Sequence, residues 1–437
     1  MKIKEIEVKG LFGIFNHKIP INTHEHITII HGPNGFGKTV MLTIIDSFFK
    51  GSYHDITVTP FSELTITFDN GSRFSALKND ADDSKDTDIK FEYTEGKTIV
   101  GEFVLRPNRI EDMDIPHKLI EDEIPGIVQV GTSTWFYLLT GEELSLKEVF
   151  EIFGKQLSVK KITDEPDWLK EMIKSVSISF IKTQRLLKFA PLQTTKGYPK
   201  RSRKFLSVVE EYSGRLVEAI KLKLSDYASL SQELDGTFPA RLFKNSPGSN
   251  INTDELKAKL DSLEKKRAAL MEVGLLDETG AVMNMPDINA QNKEVLSVYA
   301  EDMEKKLAIF DEIKKRIELF KNTISTRFSY KSMSIDRENG FTFKTSNGKP
   351  LQLKYLSSGE QHELVITYEL LFEVSPNSLI LIDEPEISLH IEWQYKFLSD
   401  LKEIANLLNF DVLIATHSPD IIKDYWDFTI ALKGPEK

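Results

Sequence analysis

One glycine-rich segment near the amino terminus has the residue types and spacing that bind phosphate. It reads His31-Gly32-Pro33-Asn34-Gly35-Phe36-Gly37-Lys38-Thr39 and fits the pattern Gly-x-x-x-x-Gly-Lys-Thr. Backbone N–H groups of such a loop curl around a β-phosphate, and the start of the following helix adds a favourable dipole. Lys38 would neutralise phosphate oxygens, and the Thr39 hydroxyl would bind Mg²⁺. We therefore predict that ATP is bound by Gly32, Pro33, Asn34, Gly35, Phe36, Gly37, Lys38 and Thr39.

Two adjacent carboxylates end a second apolar segment, Leu379-Ile380-Leu381-Ile382-Asp383-Glu384. Asp383 can hold Mg²⁺, and Glu384 can orient or deprotonate the water that attacks the γ-phosphate. Thr416-His417-Ser418 follows the next predicted strand, from which the His417 imidazole can reach the same phosphate. The sequence therefore predicts Lys38, Glu384 and His417 as catalytic residues and Thr39 and Asp383 as metal ligands.

A third segment, Leu356-Ser357-Ser358-Gly359-Glu360-Gln361, opens a predicted helix between the other two. By itself, Ser-Ser-Gly-Glu indicates an N-cap. A helix that begins with small residues is also an anion site, suited to a γ-phosphate presented by another subunit. We predict that Ser357, Ser358, Gly359 and Glu360 bind the ATP of a second copy, so that the function depends on ATP-driven pairing.

The composition excludes several classes of protein. The formal charge of 56 − 67 = −11 creates no global attraction to nucleic acid or an anionic membrane. The basic run from Lys196 to Lys204 is either a solvated linker, which is the simpler interpretation, or a local contact for nucleic acid or an acidic partner. The 437 residues include no cysteine, which excludes disulfides and cysteine-bound zinc and suits a reducing cytoplasm. No apolar run has the roughly 18–20 residues that a membrane span requires.

The elements that position these residues alternate between strand and helix patterns. Residues 3–9 and 27–30 predict strands, and the second strand runs directly into the glycine-rich loop. Short alternating segments between residues 64 and 105 predict an antiparallel sheet. Residues 203–327 have a helical pattern, in which one long helix from about Asn292 would carry Met303, Phe310, Ile317 and Phe320. This pattern fits either a hairpin or small bundle that projects from the core or helices packed flat on it. We predict a head in two halves, 1–202 and 328–437, around a helical insertion at 203–327.

Together, the phosphate loop, the Leu-Ser-Ser-Gly-Glu-Gln segment, Asp383-Glu384-Pro385 and His417 resemble the ABC-type ATPase heads of the SMC and OLD-like families. The resemblance covers essentially the whole chain. It implies an α/β fold: a P-loop ABC-type ATPase head with a mixed sheet, an antiparallel β lobe and a helical or coiled-coil insertion. It also implies hydrolysis of ATP with Mg²⁺, with Gln184 as the glutamine that senses the metal and the γ-phosphate.

Two departures place the chain within this group. His390 stands where SMC proteins and transporters usually have aspartate, whereas histidine is usual in the OLD-like branch. A cysteine-free chain also cannot build the zinc hook of the double-strand-break repair ATPase. Both features favour the compact ATPases of bacterial anti-phage systems. Within these, residues 10–17 and 234–241 resemble most the AriA family of PARIS systems and next the PtuA family of Septu systems.

This resemblance implies a slow, switch-like ATPase that senses a phage protein, which can be a DNA mimic. Homo-oligomers built on ATP-bridged dimers would restrain an effector nuclease on another chain, either Toprim-type and AriB-like or HNH-type and PtuB-like. The chain ends about twenty residues after His417, so we expect no Toprim domain there.

The alternative is a DNA-repair or DNA-translocating SMC-like ATPase that grips DNA directly. A metal site at His24-Glu25-His26 lacks further ligands.

Overall fold

The computed structural model describes residues 1–78, 88–106, 120–121, 124, 126–131, 134–137, 142–145, 149, 153, 165–181, 187–189, 205–244, 252–276, 288–289 and 292–434. The chain forms two compact units. The first comprises Met1–Phe205 and Glu373–Lys437, and the second comprises Leu206–Phe372. The second unit begins near the predicted start of the helical insertion, but it extends past residue 327 and includes the segment 356–361.

The helices of the described residues are α1 (Lys38–Lys50), α2 (His54–Val58), α3 (Asp167–Ser175), α4 (Val208–Lys244), α5 (Thr253–Glu272), α6 (Lys293–Ala308), α7 (Asp311–Arg327), α8 (Ser358–Tyr368), α9 (Ile391–Leu408) and α10 (Pro419–Ile422). The first strands are β1 (Ile3–Leu11), β2 (Phe15–Pro20), β3 (Ile27–His31), β4 (Glu63–Phe68), β5 (Ser72–Lys78), β6 (Ile89–Glu95), β7 (Thr98–Leu105), β8 (Ile127–Gln129), β9 (Thr134–Tyr137) and β10 (Glu142–Ser145). The remaining strands are β11 (Ile178–Ile181), β12 (Leu187–Phe189), β13 (Phe205–Ser207), β14 (Lys331–Asp336), β15 (Gly340–Thr345), β16 (Pro350–Leu351), β17 (Leu379–Asp383), β18 (Asp411–Ala415) and β19 (Thr429–Ala431).

A parallel sheet forms the centre of the first unit, with the strand order β11-β17-β18-β3-β19. Its inner strands are continuous apolar runs, as is typical of strands covered on both faces. The register pairs Asp383 with Ala415 and Ala415 with Ile30. The carboxyl ends of β17, β18 and β3 therefore meet at one edge of the sheet, where ligands of α/β folds bind.

An antiparallel sheet, ordered β2-β1-β4-β5-β6-β7, forms the second layer of this unit. Helix α1 buries one apolar face in the same core, and this face includes Met41, Leu42 and Phe48. The ring of Phe48 stacks on Phe74 of β5 at 4.3 Å between centroids. The packing fixes α1, and hence the loop before it, against the sheet.

Helices dominate the second unit. Helix α4 has 37 residues, and at 1.5 Å per residue it is about 55 Å long. It packs against α6, which in turn packs against α5, while the small sheet β14-β15-β16 contacts α4 and α7. The single helix expected from about Asn292 onwards is interrupted at Ile309 and Phe310, between α6 and α7. The predicted fold class, an α/β head with an antiparallel lobe and a helical insertion, is confirmed.

Candidate nucleotide site

The predicted phosphate loop joins β3 to α1. Gly35 and Gly37 both have left-handed backbone conformations, with φ values of 85° and 80°. A Cβ atom at Gly37 would lie 2.4 Å from Leu11 Cδ2, so this position requires glycine. No side chain caps α1, and its first turn contains no acidic residue. The N–H groups at the start of this helix can therefore donate to an anion.

Lys38 lies folded over its own loop. Its Nζ donates hydrogen bonds to Gly32 O at 2.8 Å and to Pro33 O at 3.0 Å, and it forms no ion pair with any described residue. Burial lowers the pKa of the Lys38 ammonium, and the nearby carboxylates of Glu384 and Asp383 oppose that effect. A buried cation held only by carbonyl groups fits a phosphate, which supplies the missing negative charge.

The two predicted metal ligands that the structure describes are in direct contact. Thr39 Oγ1 donates a hydrogen bond to Asp383 Oδ1 at 3.1 Å. Burial raises the pKa of the Asp383 carboxyl, and the hydrogen bond from Thr39 opposes that effect. A hydroxyl and a carboxylate are oxygen donors of the kind that Mg²⁺ prefers, so this pair fits the metal. Bound Mg²⁺ would neutralise negative charge on the phosphates.

Glu384 follows directly, in a strained conformation. Its φ of 43° and ψ of 59° are left-handed, which costs a non-glycine residue about 1–2 kcal/mol. Its N–H donates to Ala415 O at 2.8 Å, and this bond links the ends of β17 and β18. Glu384 Oε1 then lies 3.7 Å from His417 Nε2. The structure thus brings together the carboxylate and the imidazole that the sequence predicted as catalytic.

Two residues near this edge were missed by the sequence reasoning. The buried His17 of β2 contacts the phosphate loop, with its Nε2 2.9 Å from Phe36 O. Burial lowers the pKa of His17, which favours the neutral ring whose N–H donates to that carbonyl. Glu386 contacts Thr416 and His417. The available signals were the inward position of His17 in an alternating strand and the closeness of Glu386 to the acidic pair.

The segment 356–361 lies in the second unit and begins α8. Ser357 is the N-cap of this helix, with Glu360 completing a capping box: Ser357 N–H donates to Glu360 Oε2 at 2.8 Å. The other oxygen of Glu360 pairs with Lys331. Burial favours the neutral carboxyl, but Lys331 and Ser357 outweigh it, and the pKa of Glu360 is lowered. Ser357 and Ser358 are exposed, whereas Glu360 is buried and directed towards residues of its own unit.

Several predicted features lie outside the described residues or elsewhere in the first unit. Gln184 and the basic run at 196–204 belong to the segments that the structure does not describe. His24 is exposed, while His26 Nδ1 lies 2.7 Å from Asp411 Oδ1. Within the described ranges there is no cluster of acidic or histidine side chains that would hold a metal ion. No helix in those ranges has the length and apolarity to cross a membrane.

The sequence model of the AAA ATPase domain family (AAA_15) matches residues 1–422. Similar solved structures include the Smc head domain with an extended coiled coil bound to the C-terminal domain of ScpA from Pyrococcus furiosus, at 13% identity, 98% coverage of this chain, 93% of that chain and a TM-score of 0.33. The SMC head domain from Thermotoga maritima is 12% identical, with coverage of 97% of this chain and 92% of that chain and a TM-score of 0.32. The SmcHead bound to the C-winged helix domain of ScpA is 13% identical, with coverage of 99% of this chain and 94% of that chain and a TM-score of 0.36. No curated protein sequence matches the chain.

Proposed function

Because this chain belongs to the AAA ATPase domain family and is therefore an ATPase, we propose that it is the ATP-driven switch of an anti-phage defence system. The family implies ATP binding, usually with Mg²⁺. In this proposal, Lys38, Glu384 and His417 carry out hydrolysis, and Thr39, Asp383 and Gln184 serve the metal. The loop Gly32 to Thr39 holds the nucleotide, and Ser357, Ser358, Gly359 and Glu360 contact the ATP of a second copy.

The observation that carries the ATP-driven pairing is the pair Glu384–His417 beside Lys38 and the Thr39–Asp383 contact. These groups, all from one copy of the chain, would contact one side of a bound triphosphate. Exposed apolar side chains continue beyond Glu384: Ile387 is 64% exposed and Ile391 is 53% exposed. An apolar surface next to a phosphate site favours a protein partner there. We assign that partner as a second copy, which presents its own exposed Ser357 and Ser358.

The defence role rests on the resemblance of particular segments. Residues 10–17 form the hairpin of β1 and β2 next to the phosphate loop, and residues 234–241 lie in α4. Both segments resemble the AriA family of PARIS systems most, with the PtuA family of Septu systems second. His390, which caps α9 by accepting a hydrogen bond from Glu392 N–H at 3.4 Å, supports the OLD-like branch.

The output of the switch is proposed to lie on another chain. Homo-oligomers built on ATP-bridged dimers hold an effector nuclease inactive, and a phage protein, such as a DNA mimic, releases it. For a PARIS-like system the nuclease is Toprim-type and AriB-like, and for a Septu-like system it is HNH-type and PtuB-like. Slow hydrolysis keeps the assembly in its restrained state between infections.

A complementation experiment tests the shared site. Lys38→Ala removes the phosphate-loop charge, and Ser357→Arg blocks the segment offered to the other subunit. Each variant alone should fail to hydrolyse ATP. A mixture forms heterodimers with one intact site, from the loop of one chain and the Ser357 segment of the other, so hydrolysis should return. Ser357→Arg that hydrolyses ATP like the wild type would contradict the shared site.

A second experiment tests the defence role. Cells that carry this chain together with a candidate effector nuclease of the Toprim or HNH type are challenged with phage, and copurification of the two proteins is measured. We expect both proteins to copurify before infection and to separate after it, whereas Lys38→Ala should prevent restraint. Strong, salt-dependent binding to plain duplex DNA that stimulates ATP hydrolysis would instead favour the DNA-gripping ATPase.

A further inference from the structure

Two loops of the first unit meet at the carboxyl edge of the parallel sheet. One is the turn Pro385–Ser388, which follows Glu384, and the other is the segment 416–418, which carries His417. Side-chain hydrogen bonds connect them in a closed circuit through Glu386, Thr416, Ser418 and Gln394, which we call the coupling ring. None of these four side chains belongs to the predicted catalytic set.

Glu386 forms the first side of the coupling ring. Its Oε1 accepts hydrogen bonds from Thr416 Oγ1 at 2.8 Å and from the N–H of His417 at 2.7 Å. Its Oε2 is buried and has no hydrogen-bond partner among the described residues. A carboxylate that is partly removed from water in this way is costly unless its remaining contacts compensate. The position of Glu386 therefore depends on the loop that bears His417, and that loop depends on Glu386.

Gln394 of α9 forms the second side. Its Oε1 accepts a hydrogen bond from Ser418 Oγ at 2.9 Å, while its Nε2 donates to Glu386 O at 3.3 Å and Leu389 O at 3.2 Å. Ser418 N–H closes the ring by donating to Thr416 Oγ1 at 3.0 Å. The two loops are thus held together at two separate places, on either side of His417.

The coupling ring bears on the distance between the two groups that face the phosphate. Glu384 has a strained backbone, and its N–H joins it to Ala415 of β18. His417 lies 3.7 Å from it, which leaves space for a small movement to lengthen or shorten that contact. Enzymes owe a large part of their rate enhancement to holding reacting and catalytic groups at fixed distances.

We propose that Glu386 is a positioning residue, which, through Thr416 and the backbone of His417, holds the imidazole at its working distance from the Glu384 carboxylate. This rests on the proposed roles of Glu384 and His417. None of the ring's hydrogen bonds reaches the phosphate loop or the Thr39–Asp383 contact, although the charge of Glu386 acts on Lys38 and Asp383 through space. Changes in the ring that leave its charge intact therefore affect the rate of hydrolysis and not the affinity for ATP.

Variants of Thr416 give the sharpest test, since this side chain is fully buried. Thr416→Val keeps the shape but removes the hydroxyl that joins Glu386 to Ser418, whereas Thr416→Ser keeps the hydroxyl. We expect Thr416→Val to lower kcat by about 10-fold or more, as is usual when a supporting contact of a catalytic group is lost. Thr416→Ser should retain most of the wild-type kcat. The equilibrium Kd for ATP should stay the same in both.

Variants on the other sides of the ring provide independent arms. Gln394→Leu should lower kcat without changing the Kd for ATP, and it leaves the fully buried Thr416 untouched if Thr416→Val does not fold. Glu386→Gln should also lower kcat, but it removes a charge that acts on Lys38, so the Kd test uses the Thr416 and Gln394 variants. Glu403→Gln, an exposed change on α9, is the matched control and should keep the wild-type kcat.

The outcomes separate this proposal from the one on which it rests. Equal kcat values for Thr416→Val and Thr416→Ser would overturn the coupling ring, as would a loss of activity that came entirely from weaker ATP binding. Wild-type hydrolysis by Glu384→Gln would instead overturn the catalytic assignment, whatever the Thr416 variants show.

Discussion

Lys38 shows how one residue connects the loop to the chemistry. In this structure its ammonium satisfies two carbonyl groups of its own loop, and burial lowers its pKa. A triphosphate would provide stronger, charged acceptors at the same place. Lys38 is therefore expected to contribute more to nucleotide binding than to the stability of the loop.

Lys38→Ala should weaken ATP binding by about 100-fold or more, since charge-assisted hydrogen bonds to the phosphates are lost. Equilibrium titration with ATP measures this effect. Lys170→Ala provides the control in α3 of the same unit, because Lys170 and its partner Asp167 are both exposed. Unchanged ATP affinity in Lys38→Ala would show that the nucleotide binds elsewhere.

Lys78, at the end of β5, gives a prediction about pH. Its Nζ donates to Thr57 O and Thr59 O, and burial lowers its pKa from 10.5 to about 8. Between these pH values the folded state has released a proton that the unfolded chain still holds. Stability therefore rises with pH across this window, by about 1–2 kcal/mol for a partly solvated ammonium.

Lys78→Met should remove this rise, which is measured as the difference in unfolding free energy between pH 7.5 and 10. Lys349→Met, at an exposed position, should keep the wild-type slope. A slope that is identical in wild type and Lys78→Met would mean that the ammonium is not buried in solution.

At the scale of single residues, sequence spacing was sufficient to identify the groups that are proposed to bind phosphate or metal. Thr39 and Asp383 are in contact, as are Glu384 and His417, because strand order brings motif residues to one edge. The sequence did not reveal His17 or Glu386. Their roles come from contacts between segments far apart in the chain, and neither has a local pattern of its own.

Among the elements, the contact between α4 and α6 includes an ion pair whose acidic member is buried. Arg241 Nη2 donates to Asp302 Oδ2 at 2.7 Å and also to Leu234 O at 2.7 Å. The carboxylate of Asp302 is almost completely buried. Pro239 lies in the same turn of α4, where it removes one helical hydrogen bond. The guanidinium thus satisfies a carbonyl close to this interruption.

Arg241→Met should lower the free energy of unfolding by about 2–4 kcal/mol, because it leaves the charge of Asp302 buried without its partner. Chemical denaturation measures the change. Lys259 and Glu304 provide an exposed pair between α5 and α6, so Lys259→Met should cost less than about 1 kcal/mol. Equal effects of the two substitutions would contradict the structural role of Arg241.

Strands were easier to predict than helix ends. β17 and β18 follow the apolar runs closely, since each run is bounded by residues that leave the sheet. The helix expected to continue through Phe310 is broken there, although its apolar spacing continues. Phe310 is fully buried and packs on Tyr227 at 5.5 Å between centroids. The spacing of apolar residues predicts which side chains are buried, and side chains can stay buried on both sides of a break in the helix.

For the whole molecule, the shared site predicts that assembly follows the nucleotide. Glu384→Gln keeps the shape of the side chain but removes the carboxylate that is proposed to activate water. We expect this variant to remain as a larger assembly in ATP and Mg²⁺, whereas the wild type returns to its smaller form as ATP is consumed. Light scattering with ATP and then with ADP measures the mass. Rapid hydrolysis by Glu384→Gln would contradict the role of this carboxylate.

The left-handed backbone of Glu384 has a consequence for selection on this protein. Glycine or asparagine would adopt the same backbone at lower cost, and either would also remove a negative charge beside Asp383. Random substitution and screening for heat resistance should therefore favour such replacements, and each would yield a tougher but inactive protein. If Glu384 has the proposed catalytic role, glutamate at this position lowers stability in return for turnover, and a library selected only for thermal tolerance would lose activity.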